Sequence, residues 1–242
     1  MQIDLNENKL EINAGCHYIK FRADKNLAET IIYLPEKKME YIIPTGERLD
    51  VYPKGSFEGP DYTYSCVEAT SEEIVKYRNL ALNPADRRGE TNYFPHSDAN
   101  YVTRDSIWFE SRNAIDGFVG PCGHHGFPHQ SWGGGDRDDL EYFLYFGRPV
   151  LVDKLVLHLR ADYNVSNDKE HDTYWKSIKV EFSDGSEIAI SPVKTADGQV
   201  FTFEPKTISS LKLTNLVRDW GFPTMGYAAL TQIEVWGKDI IE

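Results

Sequence analysis

From residue 141 to its end the chain is a succession of short alternating segments parted by turn dipeptides, and hardly any stretch keeps a helical period. Residues 141–146, 154–160, 175–182, 186–190, 200–203, 210–214 and 229–236 each alternate apolar with polar side chains. A period of two sends successive side chains to opposite faces, which suits a strand with one face buried. Asp184-Gly185 and Asp197-Gly198 are the dipeptides that tight antiparallel connections require. An antiparallel all-β domain is therefore expected. The loop-rich passage before it, from Asn79 through Asn113-Ala-Ile-Asp-Gly117, reads as the opening of a Greek-key sandwich.

The first third follows the same rule on a smaller scale. Alternating segments begin at His17, Glu29 and Met39, and Pro35-Glu-Lys-Lys and Pro44-Thr-Gly part them as turns. Further strands are predicted at residues 48–52 and 62–69, which makes a small β-rich unit over residues 1–78. Ser71 to Arg78 reads as one short helix, with Thr70 or Ser71 as N-cap and acids in its first turn. The division expected is thus residues 1–78 and residues 79–242.

Of the 242 residues, 40% are hydrophobic and 13% aromatic, enough for a sizeable core and a composition that favours strands. A net charge of −12 with scattered lysines and arginines excludes nucleic acid as a partner, because a phosphate backbone calls for clustered positive charge. No apolar run approaches membrane-spanning length, so no membrane partner is expected. The polar start and three widely spaced cysteines, Cys16, Cys66 and Cys122, point to reduced thiols and a cytoplasmic protein. Secretion after removal of a signal is the alternative.

The order of motifs over residues 79–237 resembles the discoidin-like domains, the coagulation factor type C or galactose-binding-like β-sandwiches. Asn79-Leu-Ala is similar to their opening motif, and Asn113-Ala-Ile-Asp-Gly to the motif before their first binding loop. Trp132 stands where relatives carry a loop tryptophan. The strand at Glu141, the strand and turn from Trp175 to Gly185, and the closing Ala229-Leu-Thr-Gln-Ile-Glu-Val-Trp-Gly match in order and spacing. Residues 1–78 match nothing in the family. The resemblance implies a jelly-roll sandwich that holds carbohydrate on loops at one end, without catalysis. Fold alone does not settle function, since such domains also bind lipid head groups or proteins.

A sugar offers hydroxyls and one apolar C–H face, so its site needs a flat ring and rigid polar groups. Trp220 and Phe222, in a stretch with no strand pattern, are the candidate stacking platform. His124, His125 and His129, in a Gly-rich loop, and Arg160 with Asp162, in the turn after Leu159, are the candidate hydrogen-bonding groups. Trp132, Trp236, Trp108 and Trp175 are read as packing residues. Cys122 with the three loop histidines raises zinc, but no second ligand pair completes a recognisable pattern. The resemblance also implies a structural Ca²⁺ near Asp116. Gln232 stands where relatives carry the closing-strand Glu, and an amide oxygen is a weaker calcium ligand than a carboxylate. No cofactor is therefore the expectation, with Ca²⁺ at Asp116 as the alternative.

Two other functions stay open on these residues. Asp136, Asp138, Asp139 and Glu141 form an acidic run, and glycoside cleavage needs only two carboxylates at a suitable separation. The run also reads as a solvated turn entering a strand. Alternatively, the amino-terminal unit holds a partner protein through an exposed strand edge while the sandwich acts as scaffold. Self-association as a homodimer is compatible with each of these readings, and the sequence does not decide it.

Overall fold

The computed structural model describes residues 1–59, 63–120, 125–160, 163–164, 169–170, 173–219 and 227–241. Its first part is built from β1 (Gln2–Asn6), β2 (Lys9–Asn13), β3 (Tyr18–Arg22), β4 (Thr30–Tyr33), β5 (Lys38–Ile42) and β6 (Ser65–Glu68). They form two antiparallel three-stranded sheets in the orders β1-β2-β5 and β4-β3-β6. Alternation decides which faces meet: Leu10 and Ile12 of β2, Ile19 and Phe21 of β3, and Met39 and Tyr41 of β5 all point into one cluster. That cluster also takes in Ala85 and Tyr93 from beyond residue 78.

Residues 48–52 are not a strand. Gly46 takes φ +59° and residues 46–51 wind into a 3₁₀ turn in which Val51 is the buried member. Only a residue without Cβ enters that left-handed start at no steric cost. The predicted helix is shorter than expected, α1 (Ser71–Ile74), and begins as expected. Thr70 Oγ1 accepts from Glu73 N, and Thr70 N donates to the Glu73 carboxylate, which forms a capping box.

The larger part contains β7 (Arg78–Asn79), β8 (His96–Ala99), β9 (Trp132–Gly133), β10 (Tyr142–Leu159), β11 (Tyr163–Asn164), β12 (Lys169–Glu170), β13 (Trp175–Phe182), β14 (Glu187–Ile190), β15 (Gln199–Arg218) and β16 (Ala229–Asp239). Its main sheet runs β14-β13-β15-β10-β16-β7, with β8 also on β10 and β9 also on β16, all antiparallel. Two strands are long enough to serve both layers. β10 pairs β8 along its first turn-side residues, Tyr142 to Tyr145, and β16 from Val150 onward. Its register with β15 slips between Tyr145 and Val150, at Gly147 (φ +69°) and Pro149. A bulge of this kind bends a strand, so β10 and β15 turn the corner of an antiparallel β-sandwich. The predicted breaks at residues 147–153 and 204–209 are these bends, not strand ends.

The sandwich core is a single cluster from both layers that includes Phe146, Leu155, Leu157, Ile178, Val180, Leu213, Ile233 and Val235. Trp132 and Trp175 stack at its heart with ring centroids 5.4 Å apart, and Trp132 Nε1 donates to Tyr101 O at 3.1 Å. At the opposite edge the two parts meet on a charged hub. Asp239, whose side chain is fully buried, accepts from Arg148 Nε at 2.5 Å and Arg78 Nη2 at 2.5 Å. The Arg148 guanidinium lies 5.2 Å from the Tyr33 ring centre and 5.6 Å from that of Tyr18.

Candidate functional site

Strand register brings the candidate loops to one end of the sandwich. Leu159 at the end of β10 faces Leu230 near the start of β16, and Leu230 faces Trp132 of β9. Trp175 at the start of β13 faces Arg218 at the end of β15. Hydrogen bonds close the same end: Arg160 N donates to Ala229 O at 3.0 Å, and Asp219 N to Tyr174 O at 2.9 Å. The strand ends that bear the connections across residues 118–131, 160–174 and 219–228 therefore lie at one end of the sandwich.

Of the predicted contact residues, Trp220, Phe222, His124 and Asp162, with Cys122, lie outside the described residues. The others are spread over this end. Arg160 is buried, 3% exposed, and its Nη2 donates to Tyr227 O at 3.0 Å while the guanidinium lies 5.9 Å from the Phe109 ring centre. It thus holds the backbone at Tyr227, just before β16. His125 is exposed and meets Trp108 edge-on at 5.8 Å. His129 is half-buried, and its Nδ1 is shielded from solvent with no hydrogen-bond partner among the described residues. Trp132 and Trp175 are packing residues as expected, and Trp236 is a rim residue under Lys154 Nζ at 4.4 Å.

The described half of the 118–131 loop is held from three sides. Phe127 N donates to Asp50 O at 2.6 Å, Ser131 N to Trp108 O at 3.1 Å, and the Phe127 ring meets Phe118 edge-on at 4.8 Å. Asp50 belongs to the 3₁₀ turn of the amino-terminal part, so that part props the loop. Sequence reasoning missed this, because nothing in residues 46–51 marks them as a neighbour of a loop some 75 positions away.

Asp116 ties the loop to the core. It is 2% exposed; Oδ1 accepts from Phe118 N at 2.9 Å and Oδ2 from Gln130 Nε2 at 2.9 Å. Burial pushes its carboxyl up to about 7, against the pull of the Arg112 guanidinium and those two hydrogen bonds. Gln232 does reach the same turn, where its Oε1 accepts from Gly117 N at 3.1 Å. Calcium takes six to eight oxygens and favours anionic ones. Here both Asp116 oxygens and the Gln232 oxygen already hold N–H donors, and among the described residues no three His, Cys, Asp or Glu side chains converge. The donors present do not fit Ca²⁺.

The acidic run is likewise engaged. Arg218 pairs with Asp136 and donates to Asp138 Oδ1 at 2.9 Å, Arg137 Nε donates to Asp139 Oδ1 at 2.8 Å, and Lys212 Nζ donates to Glu141 Oε1 at 3.1 Å. The hydrogen bond from Arg137 lowers the Asp139 pKa, the opposite of what the proton donor of a glycoside hydrolase requires.

No family model matches this sequence, and no curated protein matches it. Solved structures do. Chitosan-binding module 1 from a chitosanase/glucanase of Paenibacillus sp. IK-5 aligns at 20% identity over 66% of this chain and 99% of that one, with a TM-score of 0.44. The family 32 carbohydrate-binding module of C. perfringens NanJ, in complex with galactose, aligns at 14% identity over 58% and 91%, with a TM-score of 0.42. A Streptococcus pneumoniae fucose binding module, SpX-3, aligns at 13% identity over 67% and 99%, with a TM-score of 0.45.

Proposed function

We propose that this protein is a non-catalytic carbohydrate-binding protein that holds a neutral sugar on the loops at one end of its β-sandwich. The observation that carries the reading is that the strand ends bearing the 118–131, 160–174 and 219–228 connections gather at that end. Those connections hold the two rings without strand pattern, Trp220 and Phe222, the histidines His124, His125 and His129, and Asp162. Trp220 or Phe222 covers the C–H face of the sugar, and the imidazoles and Asp162 exchange hydrogen bonds with its hydroxyls. Arg160 acts by anchoring Tyr227 through its carbonyl, at the base of the connection that bears both rings. Affinity is modest, since one sugar buries little surface and each hydroxyl bond to protein replaces one to water.

A non-catalytic role is supported by the ion pairs that occupy all four acids of the 136–141 run. Calorimetric titration with galactose-type monosaccharides, set beside a turnover assay on aryl glycosides, tests the reading. Saturable binding without turnover is expected. Changing both Trp220 and Phe222 to Ala removes that binding and leaves the unfolding midpoint within the small range of surface substitutions, about 0.5 kcal/mol. Turnover, or binding that survives the double change, refutes it.

A further inference from the structure

A separate cavity of about 200 Å³ lies where the amino-terminal part meets the segment preceding the sandwich. Its walls include the apolar faces of Tyr41, Ile42, Val51, Tyr52 and Ile107. Most of its charged groups are committed to the protein. Arg112 Nε donates to Asp86 O at 2.8 Å, and its guanidinium lies over the Tyr52 ring at 4.9 Å. Arg87 Nη2 donates to Glu90 O at 2.8 Å, and Arg88 pairs with Asp105. The Asp86 carboxylate accepts from Ser97 Oγ at 2.8 Å and lies 2.7 Å from His96 Nδ1.

Two lining groups differ. Glu110 is 2% exposed, yet its carboxylate has no donor within hydrogen-bond distance among the described residues. It forms a long ion pair with Arg48, Nη1 to Oε1 3.8 Å, too far apart for a direct hydrogen bond. A mostly buried carboxylate held only by such a pair gains from a hydroxyl that donates to it. Burial raises its pKa accordingly, while Arg112 and Arg48 pull it the other way.

We propose that this cavity is a second binding site, which takes a small neutral polyol through adjacent hydroxyls set between Glu110 and Arg48. A hydroxyl donates and accepts at once, so it bridges an acceptor-only carboxylate and a donor-only guanidinium whose ion pair is too long for a direct hydrogen bond. The aromatic and aliphatic walls take the C–H side of the ligand. A cation would meet the guanidinium groups of Arg48, Arg87, Arg88 and Arg112 in the lining, and an anion would meet the Glu110 carboxylate at close quarters. The volume falls below the roughly 300–1,000 Å³ of sites for drug-sized ligands, which limits the occupant to a monosaccharide or smaller. None of this rests on the loop-end reading, because the residues and the connections differ.

Chemical-shift titration of the whole protein with glycerol, xylose and, as the anionic arm, inorganic phosphate tests the site. Glycerol or xylose is expected to give saturable shifts at residues 41–52 and 107–112. Glu110→Gln, which cannot accept at both oxygens, weakens that response at least tenfold, and so does Arg48→Ala, with urea unfolding confirming that both variants fold. The Trp220/Phe222 double change leaves it intact, so the two sites fail independently. Saturation by phosphate in place of the polyols, a polyol response unchanged in Arg48→Ala, or no response of these residues to any probe overturns the proposal.

Discussion

Replacing Asp116 by Asn should stabilise the protein above neutral pH and do little in acid. The carboxyl is 2% exposed and its pKa is raised from the ordinary 3.8 to about 7, burial being the larger influence and Arg112 the main opposing one. A group whose folded-state pKa is raised holds its proton more tightly folded than unfolded. Stability is then full below the unfolded pKa, falls as pH rises from about 4 to about 7, and is flat above. Each pKa unit is worth about 1.36 kcal/mol, so a shift of about three units is a loss on the order of 4 kcal/mol between pH 4 and pH 8. Asn cannot ionise and escapes that loss. Its side chain still accepts from Phe118 N, and Gln130, whose Oε1 is buried without a donor, can turn its amide to accept from the new NH₂. Urea unfolding of both proteins from pH 4.5 to pH 8, with chelator and again with millimolar CaCl₂, measures the difference. Because His96 and Glu110 titrate in both proteins, subtraction removes them. A difference that does not grow with pH refutes the burial of this carboxyl. A wild-type midpoint that climbs with CaCl₂ while that of the Asn variant does not refutes the poor fit to calcium.

Two further substitutions probe the scaffold. Asp239→Asn leaves Arg148, 4% exposed, and Arg78 without their shared counter-charge, which should destabilise by about 3–5 kcal/mol in urea unfolding; a change within 1 kcal/mol contradicts the hub. Gly147→Ala places a Cβ 2.4 Å from Phe94 Cδ2 on a backbone at φ +69°, and is expected to cost about 1–3 kcal/mol by the same measurement, whereas Gly185→Ala, in open space, costs only the strain of its φ.

Much of the fold was legible because alternation and turn chemistry are local. β13, β14 and β16 stand where period two put them, and Asp184-Gly185 makes the turn it spells. β10 and β15 were each read as two strands, since Gly147, Pro149 and Pro205 look like terminators in one dimension and act as corners in three. The strand predicted over residues 48–52 failed for a converse reason: Leu49 and Val51 alternate correctly, but Gly46 had already set a tighter winding. The candidate site was legible only as the loops proposed to carry it. Polar pairs that decide its surroundings are far apart in sequence, such as Gly117 with Gln232 (115 positions) and Phe127 with Asp50. No pattern at either end announces such a partner. The cavity between Arg48 and Glu110 was invisible for the same reason, since an exposed Arg in a turn and a Glu in a loop look ordinary alone.

Backbone chemical-shift mapping of the wild-type protein during a galactose titration reaches the central claim most directly. Saturable shifts should gather on residues 125–132, 159–160, 174–175, 218–219 and 227–230, the strand ends and loop bases at one end of the sandwich. Shifts confined to the opposite edge around Asp239, or a spectrum that galactose leaves unmoved, would contradict it.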